Sequence, residues 1–204
     1  MSTATAATKK PETDGRKIRT NDSRKKIVDA FLKLVREGNV SPSAEEVATA
    51  AKVSLSTVFR RFTEMELLYR ELIIEVQAQH MPQFLKPFET THWQDRLAEM
   101  GKRRAAAFEL IMPYRIAAKV LMHRSKFIKD NMERWTLSMR KMLEMVLPFS
   151  ATQEPVMFSA IEAAMSFDHW IQMRKAQNMS TQETETLRDY MVALVLKDYQ
   201  EKTP

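Results

Sequence analysis

The sequence predicts an all-α protein, and three observations carry that prediction. The first is composition: fifteen Met against three Gly in 204 residues, with abundant Ala, Leu, Glu, Lys and Arg, favours helix throughout. The second is periodicity, because apolar residues recur at spacings of three and four along most of the chain and no alternating run is long enough for a useful strand. The third is punctuation. Ser43-Ala44-Glu45-Glu46 and Thr63-Glu64-Met65-Glu66 have the spacing of capping boxes, and Pro82, Pro87, Pro113 and Pro148 fall where helical stripes close. The expected plan is about nine helices in two unequal parts, residues 22–79 and 80–204, behind a basic arm at 1–21 expected to be disordered. No internal repeat is visible.

Taken in order, the arm is rich in Thr, Ala and Lys, holds one proline, Pro11, and lacks periodicity. A solvated tail is the default reading of its cations, with a minor groove or phosphates as the rival. The first helix should begin near Asp22 or Ser23 and run through Ile27, Ala30, Phe31, Leu34 and Val35 to Glu37-Gly38. Arg24, Lys25 and Lys26 in its opening turns oppose the helix dipole, so a phosphate backbone nearby competes evenly with an ordinary solvated face. The next stretch, SAEEVATAAKVSLSTVFRRF (43–62), holds two short helices. Val47, Ala48 and Ala51 face inward on one; Lys52, Val53 and Ser54 interrupt it; Ser54 caps the other, with Val58, Phe59 and Phe62 inward and Ser56, Thr57, Arg60 and Arg61 outside. Two short helices around a tight turn suggest a helix-turn-helix, whose second helix enters the major groove with hydroxyl and guanidinium groups suited to phosphates and purines. A fourth helix runs through Leu68, Leu72 and Val76 to about Gln79, and Pro82 and Pro87 should stop it, which sets the domain boundary.

From Ser23 to Val76 the chain resembles the TetR family of bacterial repressors, most closely in EEVATAAKVSLSTVFRRFTEMELL. The resemblance implies a three-helix DNA-binding head followed by a helical ligand-binding and dimerisation domain. It also implies double-stranded DNA as partner, contacted by Ser43, Leu55, Ser56, Thr57, Phe59, Arg60, Arg61 and Lys25. Three positions depart from the family pattern: Lys52 stands for the usual Gly of the turn, Phe59 for Tyr and Met65 for Lys. The last two remove phosphate-contacting groups, for which Arg60 and Arg61 can compensate.

Beyond the boundary, Thr90 or Thr91 should open a helix through Phe108 and Met112 that Pro113 breaks. Tyr114 to His123 is a shorter segment, and Ser125 to Leu147 is a long amphipathic helix. Thr152 to Gln177 and Ser180 to Gln200 read as the last two helices, and SFDHWIQMRKAQNMSTQETETLRDYMVALVL is similar to the family segment that pairs with its copy in a homodimer. Phe108, Met112, Trp135, Met139, Met165 and His169 are candidate ligand-binding residues. Stripes at helical spacing are ordinarily core, and it is the resemblance that raises the prospect of a cavity for a small, mainly apolar effector. For Arg103, Arg104 and Arg115 a solvated face is the default, an anionic headgroup the alternative.

Charge is unevenly divided. Residues 1–62 hold 13 Lys and Arg against 7 Asp and Glu, whereas residues 63–204 balance at 19 of each, so the whole excess of +6 lies at the proposed head. A basic end on a neutral body suits contact with a polyanion, although a basic tail alone accounts for much of it. With no Cys, neither disulfides nor thiolate metal sites are available, and the four His show no ligand spacing. Glycine-rich phosphate loops and nucleophile elbows are absent from the sequence, so no enzyme, cofactor or metal is expected. The N-terminus has no apolar signal region and no uncharged apolar run reaches about 18 residues, so a cytoplasmic protein without membrane attachment is expected. The functional expectation is a DNA-binding regulator, a repressor released by its ligand. The rival is a helical ligand-binding or interaction module with weakened DNA affinity.

Overall fold

In the computed structural model, which describes residues 13–61, 65–123 and 125–202, the chain is all-α and the described residues form no strand. The helices are α1 (Thr13–Arg36), α2 (Ala44–Ala51), α3 (Leu55–Arg61), α4 (Met65–Phe84), α5 (Trp93–Leu121), α6 (Lys126–Glu144), α7 (Pro155–Ala164), α8 (Phe167–Ile171), a π-helical turn (Gln172–Ala176) and α9 (Thr181–Lys202). No helix among the described residues is long and apolar enough to cross a membrane. The chain divides into two compact units, Met1–Leu72 and Ile73–Pro204, and the division lies inside α4, N-terminal to the sequence-based boundary at Gln79.

In the first unit, Ile27, Phe31 and Val35 of α1 are buried together with Val47, Ala48 and Ala51 of α2, Val58 of α3 and Leu68 and Leu72 of α4. The small residues of α2 let it lie close against α1, and Phe31 meets Tyr69 edge-on at 5.9 Å. Helix α1 begins at Thr13, nine residues before the expected Asp22, while residues 1–12 lie outside the described residues. Pro11 is the last proline before Pro42, so once a helix exists nothing in residues 13–21 stops its propagation toward the N-terminus. Arg24, Lys25 and Lys26 therefore sit in mid-helix, and the dipole argument for a phosphate beside them no longer applies. Arg24 instead pairs with Glu71 of α4 at 2.7 Å.

The second unit packs α5, α6, α7 and α9 around Leu97, Met100, Leu143, Phe158 and Ile161, with Val192, Val195, Leu196 and Tyr199 of α9 covering that core. A second cluster joins Ala105, Phe108, Ile111 and Met112 of α5 to Phe167 and Trp170 of α8. Pro113 lies inside α5 and does not break it. Proline removes one hydrogen bond and crowds the preceding turn, but Ile111 and Met112 before it and Ala117 and Leu121 after it are buried on the same body. Their burial, at roughly 1.5–3 kcal/mol for each large side chain, outweighs that local loss. Pro82 likewise sits inside α4, two residues from its end, where little helix remains to disrupt. The segment expected as one helix from Thr152 to Gln177 is three pieces. Ser166 accepts from the His169 amide at 3.1 Å and starts α8 anew, and Gln177 N donates to Gln172 O across the π turn at 3.2 Å. Ser180 and Glu183 form a capping box at the start of α9.

Candidate nucleic-acid interface

Local chemistry builds the α2-turn-α3 unit almost residue by residue. Ser43 Oγ accepts from Glu46 N at 3.2 Å while Ser43 N donates to Glu46 Oε2 at 2.7 Å, and Asn39 Nδ2 donates to Oε1 of the same carboxylate at 3.1 Å. Those donors, Ser43 first and then Asn39, hold the Glu46 carboxyl below its ordinary pKa. At the other end of α2, Val53 N donates to Ala48 O at 3.0 Å and Lys52 N to Thr49 O at 3.1 Å, which places Lys52 in the left-handed region at φ 55°. Gly38 closes α1 with the same bonding pattern, Asn39 N to Leu34 O and Gly38 N to Val35 O, at φ 100°. Ser54 then opens α3. Its Oγ accepts from Thr57 N at 3.2 Å and lies 2.9 Å from Ser56 Oγ and 2.8 Å from Thr57 Oγ1, and Arg60 Nη2 donates to Thr57 Oγ1 at 3.4 Å.

Val58, almost fully buried, fixes the rotation of α3, and the residues around it follow. Ser56, Phe59 and Arg60 are exposed, and Leu55 and Thr57 are half-buried. Phe59 corrects the sequence reading that turned it inward: it is 49 % exposed, because neighbouring helical residues point about 100° apart and Val58 already occupies the inner face. Lys25 and Ser43 are exposed as well. Arg61 has a described backbone only, and Phe62, Thr63 and Glu64 lie outside the described residues, as does the side chain of Met65. The arrangement offers hydroxyl donors and acceptors, a guanidinium and an aromatic ring on one short helix, the side-chain types that bind phosphates and base edges. Lys52, the lysine that stands where a left-handed turn favours glycine, is exposed and puts a cation on the turn itself.

The six candidate ligand residues of the second unit are distributed over more than one cluster. Phe108 and Met112 lie with Phe167 and Trp170, and the Phe108 ring meets Phe167 edge-on at 5.4 Å. Trp135 packs against that cluster and also against a second one that contains Met139, Phe84 and Ala107. Met165 belongs to the core around Leu143 and Phe158. His169 is half-buried, its Nε2 is enclosed without a hydrogen-bond partner, and desolvation lowers its pKa. Of the three arginines, Arg103 donates to the carbonyls of Lys86 and Pro87 and pairs with Glu99. Arg104 is not on a solvated face: it is 3 % exposed, donates to Met139 O at 2.6 Å and to Met165 O at 3.1 Å, and burial pulls its pKa down to about 10. Arg115 lies with its Cζ 5.6 Å from the Trp135 ring and 5.2 Å from the Phe167 ring.

The fold has a counterpart among solved structures. The fold is similar to that of a transcriptional regulator. That protein, from Rhodococcus sp. Rha1, aligns with a TM-score of 0.64 over 88 % of this chain and 96 % of its own, at 13 % sequence identity. No family model matches the sequence, and no curated protein matches it. At that identity the likeness bears on the fold, and the chemistry of this chain rests on its own residues.

Proposed function

We propose that the protein is a sequence-specific DNA-binding transcriptional regulator of the TetR type, a homodimeric repressor that a small ligand releases from its operator. The observation that carries this reading is the capped α2-turn-α3 unit, in which buried Val58 sets α3 so that Ser56, Phe59 and Arg60 point outward. The fold neighbour, itself described as a transcriptional regulator, supports the same class. Two heads on successive major grooves are roughly 34–36 Å apart, which calls for a dimer. Helix α9 supports one. Its inward stripe contains Thr184, Arg188, Val192 and Val195, yet Tyr190 and Leu194 are 61 % and 51 % exposed and, with Leu187, form a second, outward stripe. An open groove of about 850 Å³ borders it, lined by Met179, Ser180, Gln182, Glu183, Thr186, Leu187 and Tyr190. A ligand alters DNA affinity only by binding one arrangement of the dimer better than another, and the second unit, with its Met and aromatic clusters, is the candidate sensor.

The test is binding of the purified protein to DNA from upstream of its own gene, followed by fluorescence anisotropy at two salt concentrations. A steep loss with salt, and a loss of about 1–3 kcal/mol with relaxed specificity in Arg60→Ala, support the reading. A monomer at micromolar concentration, or affinity equal on operator and random DNA, removes it. Exposed Phe59, which offers no hydroxyl, keeps a second reading in play, a helical ligand-binding module with weakened DNA affinity, and the same titration separates the two.

A further inference from the structure

We propose that Ser54 is a positioning residue of the DNA-reading face: acting through Thr57 it holds the Arg60 guanidinium ready for a guanine, and it leaves the Ser56 hydroxyl as the donor of its group. This inference rests on the reading of α3 as the recognition helix and names how that helix is set. It starts from the Ser54 hydroxyl, which does more than cap. Besides accepting from Thr57 N at 3.2 Å, Ser54 Oγ lies 2.9 Å from Ser56 Oγ and 2.8 Å from Thr57 Oγ1. Thr57 Oγ1 in turn accepts from Arg60 Nη2 at 3.4 Å. Arg60, Thr57, Ser54 and Ser56 therefore form one unbroken hydrogen-bonded chain.

A hydroxyl has a single hydrogen to donate, so the two links among these hydroxyls leave one hydrogen over. The cation at the Arg60 end decides which. With Arg60 donating to Thr57 Oγ1, the Thr57 hydrogen turns away from the guanidinium toward Ser54 Oγ. Ser54, already accepting from Thr57 N and the Thr57 hydroxyl, gives its own hydrogen to Ser56 Oγ. The hydrogen left over belongs to exposed Ser56, whereas half-buried Thr57 is committed to its neighbours. When DNA excludes water from this face, Ser54 and Thr57 keep their partners, and an unlinked hydroxyl would lose its own. Arg60 is tethered through one N–H group and keeps the rest of its fork, which matches O6 and N7 of guanine. Held in advance, its long side chain escapes much of the ordering that a free arginine undergoes on binding.

The experiment has two arms, both on the full chain. Without DNA, NMR nitrogen relaxation compares the Nε–H of Arg60 with that of Arg36, an exposed arginine in the last turn of α1. Arg60 should be the more ordered, and Ser54→Gly and Thr57→Val should each bring it down to the level of Arg36. With DNA, Ser54→Gly should weaken binding to the upstream fragment roughly three- to tenfold and to random DNA by no more than about twofold, the loss expected from one unordered long side chain. Ser54→Thr should behave as the parent protein. Threonine and glycine cap helices about equally, so the difference between these two variants reads the hydroxyl chain and not the cap. Arg60 no more ordered than Arg36, equal operator affinity in Ser54→Thr and Ser54→Gly, or losses from Ser54→Gly and Arg60→Ala that simply add overturns the proposal. If Ser54→Gly fails to fold, Thr57→Val breaks the chain one link further on and decides in its place. Failure of the regulator reading is distinguishable, because the parent protein then binds upstream and random DNA alike while the relaxation arm still decides the tether.

Discussion

The Arg188 guanidinium lies against Gly101, with Nη1 donating to Gly101 O at 2.7 Å, and a Cβ on that glycine would stand 3.0 Å from both Cζ and Nε. An alanine in a helix interior ordinarily gains about 0.5–1 kcal/mol over glycine. Here the sign should reverse, because Arg188 is 3 % exposed and its head is held by Gly101 O and Asp189, so it has little freedom to retreat. Gly101→Ala is expected to destabilise by roughly 1–2 kcal/mol in urea unfolding, and in an Arg188→Met background the same change should cost much less. Equal effects in the two backgrounds would show that the guanidinium does not dictate the glycine.

Gly38 and Lys52 close two helices with one bonding pattern, yet only the first is free of a side chain. Lys52→Gly should therefore stabilise the first unit by about 0.5–1 kcal/mol, less the added entropy of the unfolded chain. If the exposed ammonium lies beside a phosphate, the same change should weaken binding equally on operator and random DNA and lower the salt slope by about one unit. A more stable variant with an unaltered salt slope would assign Lys52 no part in the interface.

Because the Phe59 ring is half in solvent, a hydroxyl can be added to it without a clash. Phe59→Tyr should leave stability within about 0.5 kcal/mol and tighten DNA binding several-fold on any sequence, the pattern of a new phosphate contact. Tighter binding confined to the operator would point to a base edge instead.

Glu109 receives Trp170 Nε1 at 2.7 Å and Arg174 Nε and Nη2 at 2.8 and 3.0 Å. Those bonds, Arg174 foremost, outweigh desolvation and depress the carboxyl's pKa below 4.5. A depressed folded pKa gives stability that is present above the unfolded value and lost as pH falls through the folded one. Glu109→Gln should thus lower the melting temperature at pH 7, and the gap to the parent protein should narrow as pH drops below about 4.5. A gap constant from pH 7 to pH 3 would mean that charge plays no part in the clamp.

What the sequence disclosed was local chemistry. The Ser43–Glu46 box, the Ser54 cap and the burial of Val47, Ala48, Ala51 and Val58 all lie within a few residues of their causes, and all stand in the structure. What it hid depends on distant partners. Arg104 looks like one more solvated cation until carbonyls 35 and 61 residues away accept its donors. Pro113 looks like a stop because the clash is local, whereas the burial that carries α5 through it is tertiary. Phe59 was legible in principle, since a residue adjacent to inward Val58 cannot share its face. The candidate ligand residues were visible as apolar stripes, but their partition among separate clusters follows from helix packing that periodicity does not encode.

The π turn at Gln172–Ala176 carries one residue more than an α-helical path of the same number of turns. In terms of chain length it is slack. Deleting exposed Lys175 lets the turn close with ordinary i to i+4 bonds while Arg174 keeps its spacing from Trp170, and so both keep Glu109. Deleting Lys102 from α5 instead rotates every later side chain of that helix by about 100° and scatters Arg104, Phe108 and Arg115 from their partners. Relatives of this chain that differ from it by a single residue are therefore expected to place the gap between α8 and α9.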